Sequence, residues 1–266
     1  MKSSISATQR PLVWKIMLNV LPNYRENWEF INTQNKEEFE DLQNIRNLLA
    51  PQQVDNNSNI SNEKKNQYLL VATYKLANYL ANQTEGILVN KEKKANKKLN
   101  KNKNILDMAG VIANVFNDNL VDGYFCLKNL LKLRNYTYFN EEEIIEELIY
   151  KLENLVKNKL KKLLDHFIKH EIKLHNFAMN WFSNYFASSL PITFLKSLWD
   201  KIIAVGDFLL PFYALIFLQK LSPQLLAIND PKKIKHILSN VTTFSNFFLL
   251  NFIKIFSFRD PIGCVF

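Results

Sequence analysis

The sequence predicts an all-α fold, and three observations carry that prediction. Apolar residues recur at helical spacing in one segment after another. The 266 residues include only 5 glycines and 8 prolines, fewer than a turn-rich β architecture needs. Prolines and capping patterns stand at the ends of the apolar-periodic segments, where helices start and stop. With 47% hydrophobic residues, the chain can bury one sizeable domain or two lobes.

The first segment, RPLVWKIMLNVLP at 10–22, repeats Leu12, Val13, Ile16, Met17, Val20 and Leu21 at helical spacing. Pro11 suits an early helix position and Pro22 closes the helix. Residues 36–50 predict a second helix with Phe39, Leu42, Ile45 and Leu49 on one stripe. Its acidic start favours the positive end of the helix dipole, and Pro51 stops it. The Asn/Ser-rich stretch 51–66 reads as a flexible loop. Residues 67–82 predict a third helix with Leu69, Leu70, Tyr74, Leu76, Ala77 and Leu80 inward. The lysine-asparagine stretch 83–103 reads as a second flexible loop.

Residues 104–116 and 121–133 each show helical periodicity. Asn140 with Glu143 three residues on is a capping-box pattern. It opens a long helix expected to run from Glu141 to about His170, acidic at its start and lysine-rich at its end. Further apolar helices are expected over 174–189, 192–204 and 206–221. Asp230-Pro231 opens another, and the Phe-rich stretch Phe244–Phe258 ends the domain. One domain is expected over 1–266, with an N-terminal lobe at about 8–135 and a C-terminal lobe at about 140–258.

Net charge is +9 and the pI is near 9.3. Much of the excess is local: Lys91, Lys93, Lys94, Lys97, Lys98, Lys101 and Lys103 oppose only Glu92. No aromatic residues interleave with them to stack on bases, so no nucleic-acid partner is expected. The run reads as solvated, with peripheral contact to anionic lipid as the alternative. Cys126 and Cys264 allow neither a disulfide framework nor zinc spacing, which fits a reduced compartment. MKSSISATQR has no apolar h-region, so no signal peptide is expected. The most membrane-like stretch, 202–218, contains Asp207 and Pro211 and is marginal in length, so a buried helix is expected.

Candidate chemical groups are few. His166 and His170 share a helix face but lack a third ligand, so no metal and no cofactor are expected. Asp165 and Glu171 read as solvated helix-end charges rather than an acid–base pair. Trp181 and Trp199 read as core anchors, each burying about 150–250 Å². The stripe Leu12, Val13, Ile16, Met17 and Val20 serves either the core or a groove for a partner helix.

Two blocks of residues resemble TBC domains, the fold of Rab GTPase-activating proteins. The first is Arg10, Trp14, Leu18, Leu21 and Pro22. The second holds His166-Phe167 through His170, then Trp181-Phe182, Leu190-Pro191 and Trp199-Asp200, similar to that family's "HL…H", "WF", "LP" and "WD" elements. The resemblance covers nearly the whole chain and implies a two-lobed helical domain.

Catalytic TBC domains act in trans on a GTPase through an arginine in an IxxDxxR motif and a glutamine in a YxQ motif. The arginine neutralises charge developing on the γ-phosphate and is worth about 10³–10⁵ in rate. The expected place of the first motif holds Asp55, with Gln52 three before it and Ser58 three after. Alignment on Ala109-Gly110-Val111 puts the second motif at Lys101-Asn102-Lys103, with Lys103 where the glutamine belongs. A lysine cannot both donate to and accept from a water.

Within the TBC family the chain resembles the small branch that forms the third subunit of the tuberous sclerosis complex. That likeness rests on 10–22, 36–49, the stretch from Leu190 through Asn229, and Lys232–Leu238. It implies a non-catalytic scaffold bound to a hamartin-like coiled coil beside a tuberin-like GTPase-activating subunit. The complex would act on Rheb and restrain TOR signalling. It also implies a cytoplasmic protein recruited to lysosomal or other endomembranes through partners. The alternative implied by the wider family is a diverged Rab GTPase-activating protein, with a Rab-type small GTPase as partner.

Overall fold

Every regular element in the computed structural model is helical; no strand occurs among the described residues. The structure describes residues 5–49, 61–84, 95–117, 119–133 and 141–239. The chain divides into two units, Ala7–Tyr136 and the residues from Thr137 onward with 5–6.

The N-terminal unit contains α1 (Arg10–Met17), a 3₁₀ turn (Arg25–Asn27), α2 (Trp28–Leu49), α3 (Asn62–Thr84), α4 (Ala95–Phe116) and α5 (Leu120–Leu133). Helices α3, α4 and α5 pack on one another, and α1 and α2 pack against α5. Their core is built from Trp14, Leu70, Met108, Ile112, Tyr124 and Leu127, all essentially without solvent exposure. The backbone of α5 comes close at Gly123, where a Cβ would stand 3.5–3.6 Å from Phe116, Ile112 and Leu70.

Helix α1 is shorter than the sequence pattern 10–22 implies. It ends at Met17 in a Schellman turn. The Asn19 N–H donates to the Ile16 carbonyl and the Val20 N–H to the Lys15 carbonyl, at 3.1 and 2.8 Å. Asn19 supplies the left-handed residue with φ 55°, a conformation Asn tolerates better than most. The turn swings Val20 and Leu21 into the core, 5% and 2% exposed. Helical periodicity did continue past Met17, but a folded-back turn supplies the same burial.

Other bounds differ as well. Helix α2 begins at Trp28 rather than at 36, and Leu49 is 66% exposed rather than on the buried stripe. Residues 62–66 and 95–103, read from composition as loop, are helical parts of α3 and α4. Polar composition lowers burial, but a helix extended from a packed segment adds a hydrogen bond per residue at little further nucleation cost. In α3 the buried residues are Leu70, Val71 and Thr73, with Leu69, Tyr74, Leu76, Ala77 and Leu80 half-buried.

The C-terminal unit contains α6 (Glu141–Lys159), α7 (Lys161–Lys169), α8 (Leu174–Ser183), α9 (Ile192–Val205), a 3₁₀ turn (Asp207–Leu209), α10 (Leu210–Leu226) and α11 (Pro231–Ser239). The long helix expected from Glu141 to His170 is two helices, broken at Leu160 with φ −130° and ψ 43°. The break lets Leu163 and Phe167 enter the core, both fully buried. The helix expected over 174–189 stops at Ser183. Asn140 and the Phe-rich stretch lie outside the described residues. The stretch Asp207–Leu226 is long and apolar enough to cross a membrane by composition, with mean hydropathy 1.2, but half of it is buried in the protein, as in a core helix.

Candidate functional site

The turn between α8 and α9 concentrates the C-terminal sequence signature. Trp181 and Phe182 leave α8 fully buried. The Phe186 N–H then donates to the Trp181 carbonyl at 2.7 Å, closing the helix end. Tyr185 and Phe186 both adopt left-handed backbone, φ 52° and 64°. Two aromatic residues hold that strained conformation only where surroundings over-determine it. Here both rings are buried, Phe186 lies 5.5 Å from Trp181 and 6.4 Å from Phe217, and the Tyr185 hydroxyl donates to Asp207 Oδ1 at 2.7 Å.

The two tryptophans close the arrangement. Trp199 Nε1 donates to the Tyr185 carbonyl at 3.0 Å, and Trp181 Nε1 donates to the Leu238 carbonyl at 3.1 Å. Leu190 is buried, Pro191 precedes the first residue of α9 with φ −62° and ψ 146°, and Asp200 is 6% exposed on α9. Five of these six signature positions are therefore parts of the interior, and Pro191 is half-buried beside them. None is presented for chemistry on a substrate.

In the N-terminal unit Arg10 and Trp14 are also interior, 7% and 0% exposed. Lys15 pairs with Asp122 at 2.7 Å, the two side chains only 14% and 11% exposed. Asp122 is held in turn by Asn119, whose Oδ1 accepts from the Asp122 N–H at 3.0 Å and whose Nδ2 donates to Asp122 Oδ2 at 2.9 Å. This is a capping arrangement at the start of α5. Asn129 Nδ2 donates to the Leu18 carbonyl at 2.9 Å. Together these bonds fix α1 on α5.

The expected partner stripe is split by this docking. Leu12 and Met17 are each 37% exposed and Val20 is in the core, while Val13 and Ile16 are half-buried. Lys103 is exposed on α4, and Lys101 lies two residues earlier on the same helix. Asp55 and Ser58 fall outside the described residues.

Titratable groups are structural in their settings. Burial pushes the Cys126 thiol well up, with the Asp122 carboxylate adding to the effect, so the thiol is unreactive. Burial likewise raises Tyr124, followed by Glu38. Lys128 bridges to Glu38 at 2.6 Å and lies over the Tyr124 and Phe125 rings. The His166 and His170 rings stand 4.5 Å apart, edge to face. His166 Nε2 donates to the Ile228 carbonyl at 3.0 Å. Among the described residues no group of three or more His, Cys, Asp and Glu is placed to hold a metal ion.

The family model for the Rab-GTPase-TBC domain matches residues 7–226. The chain belongs to that family. Its fold is similar to the crystal structure of the Ypt/Rab-GAP domain of Gyp1p, with TM-score 0.66 and 16% identity over 94% of this chain and 86% of that one. It is also similar to the crystal structure of the Chlamydomonas flagellar RabGAP TBC domain, with TM-score 0.59 and 17% identity over 96% and 81% of the two chains. A search of curated proteins gives no match. At such identities the TBC fold is what the solved structures share with this chain. The all-α TBC domain expected from the tryptophan-centred blocks is the one observed.

Two parts of this TBC domain escaped sequence reasoning. One is the Lys15–Asp122 pair, whose partners are over a hundred residues apart. Its local half was visible as Asn119-x-x-Asp122 ahead of an apolar run, a capping pattern. The other is the role of Tyr185, for which a positive-φ aromatic residue leaves no compositional signal.

Proposed function

We propose that this TBC domain is a non-catalytic scaffold subunit that binds a hamartin-like coiled coil and stabilises a tuberous-sclerosis-type complex. In that complex a tuberin-like subunit supplies GTPase activation of Rheb, with TOR signalling restrained as the outcome. The scaffold works in the cytoplasm and reaches lysosomal or other endomembranes through its partners.

One observation carries the non-catalytic part. The sequence has no arginine between Arg46 and Arg134, the interval in which both finger motifs belong. Asp55 therefore has Ser58 at the arginine spacing, and Lys103 occupies the glutamine position. Without a guanidinium, the largest electrostatic term in the trans mechanism is missing, worth about 10³–10⁵ in rate. The scaffold part is supported by the likeness of 10–22, 36–49, the stretch from Leu190 through Asn229, and Lys232–Leu238. It is supported also by Leu12 and Met17 of α1, two apolar side chains that remain partly open to solvent.

The family itself favours the second reading, a diverged Rab GTPase-activating protein. Single-turnover GTP hydrolysis over a Rab panel with Rheb included separates the two. The scaffold reading expects no acceleration by the isolated chain; acceleration above about tenfold, or 1.4 kcal/mol of barrier, overturns it. Co-purification of the endogenous chain with a coiled-coil protein and a large GTPase-activating subunit is the positive expectation. GTP-dependent capture of a Rab without hydrolysis would instead make the chain a GTPase-binding module.

A further inference from the structure

The break between α6 and α7 gathers more positive charge than the helix ends use. Lys157, Lys159, Lys161 and Lys162 are all exposed within six residues. None of the four has an ion-pair partner among the described residues. From Asn154 to His170 there are five lysines and one acid, Asp165. Lys157 and Lys159 stand at the C-terminal end of α6, where cations are favourable. Lys161 and Lys162 stand at the N-terminal end of α7, where they are not. That end has no acidic residue in its first turn and no side-chain cap. Helix stability thus does not account for half of the cluster, and a bound anion would offset it.

The kind of anion follows from the side chains. Lysine is a compact, hydrated point charge on a flexible stem, without the planar fork that fixes a single carboxylate or phosphate. Four such groups suit a diffuse layer of mobile headgroups better than one stereospecific anion. An apolar group accompanies them. Ile168, on the exposed side of α7, is 66% exposed, and exposed Lys169 follows it. We infer that the α6–α7 junction is a peripheral docking surface for an anionic phospholipid bilayer, with Lys157, Lys159, Lys161 and Lys162 facing the headgroups and Ile168 entering the interface.

Each lysine near an anionic leaflet adds roughly a few-fold in partitioning, screened by salt. The test is co-sedimentation of the full chain with phosphatidylcholine vesicles, with and without phosphatidylserine. Binding is expected only to the anionic vesicles and is expected to weaken as salt rises. Replacing Lys157, Lys159, Lys161 and Lys162 by Gln should lower partitioning at least about tenfold. Replacing Lys220, Lys232, Lys233 and Lys235 by Gln, four exposed lysines of the same unit, should change it less than about threefold. Equal loss in both variants reduces the effect to net charge and overturns the inference. So does equal binding to neutral vesicles, or displacement by inorganic phosphate at the same phosphate concentration. Capture of polyglutamate without vesicle binding would point to an acidic protein instead and also overturns it. Should the fourfold variant melt early, Ile168→Ser carries the same test with one exposed substitution, expected to weaken anionic-vesicle binding severalfold; unchanged binding refutes the surface.

Discussion

Trp199 Nε1 donates to the backbone carbonyl of Tyr185 at 3.0 Å, across the turn that joins α8 to α9. The bond is fully buried and its acceptor belongs to a residue in left-handed backbone. Trp199→Phe keeps an aromatic ring but leaves that carbonyl without its donor, at a cost of about 1–3 kcal/mol. Trp199→Ala also empties the site and should cost about 3–5 kcal/mol. Denaturant unfolding gives both values; a Trp199→Ala melting curve unshifted from the parent would contradict the core role.

Lys15 and Asp122 form a nearly buried pair. Lys15→Met leaves the Asp122 carboxylate without its cation, hydrogen-bonded to the neutral Asn119 amide, and should cost about 3 kcal/mol. The double variant Lys15→Met, Asp122→Leu removes both charges and should recover most of that loss. A double-mutant cycle with no coupling would refute the pairing.

Gly206 has φ 118° and ψ 176° between α9 and the following 3₁₀ turn, a region open in practice to glycine alone. Among the described residues a Cβ there meets the Phe208 ring, at 3.6 Å, so the obstacle is the backbone rather than space. Gly206→Ala should cost about 1–3 kcal/mol, read as a lower denaturation midpoint at unchanged m-value.

His170 has a depressed pKa, first through burial and then through His166, and its buried Nε2 has no hydrogen-bond partner among the described residues. The unfolded chain therefore takes up a proton near pH 6.5, before the folded one does. Between the folded and unfolded values the unfolded state holds more protons, so stability rises with pH across that window and falls on acidification below about 6.5. His170→Gln should flatten this part of the stability–pH profile. An unchanged profile would place the dependence elsewhere.

Leu12 and Met17 are each 37% exposed on α1, a helix whose Trp14 is fully buried. Leu12→Glu with Met17→Glu should leave the melting temperature within about 2–4 °C of the parent. The same variant should lose the coiled-coil partner in co-purification. Retained partner with retained stability would move the scaffold interface off this helix.

Fold legibility followed burial. Trp181 and Trp199 were readable as anchors because large aromatic residues at helical spacing have few other uses in a chain of this class, and both are fully buried. Turns were not readable. Asn19, Tyr185 and Phe186 reverse the chain through positive φ without glycine, so the residue that usually marks a left-handed position is missing. The α6–α7 break at Leu160 was hidden for a similar reason, since no proline or glycine marks it. At the candidate site the finger spacings were read from covalent order alone, and Asp55 and Ser58 lie outside the described residues. The three-way tie of Asn119, Asp122 and Lys15 depends on how α1 lies on α5, which no local pattern encodes.

The corner between α8 and α9 also bears on how the C-terminal unit opens. Its left-handed residues are held by rings and by the Trp199 bond, and Tyr185 is tied onward to Asp207. The backbone there cannot relax one residue at a time without withdrawing an aromatic ring from the interior. Slow amide exchange at Phe186, Gly206 and Leu209 should therefore share one opening free energy, and loosening any one of the tethers should speed all three together.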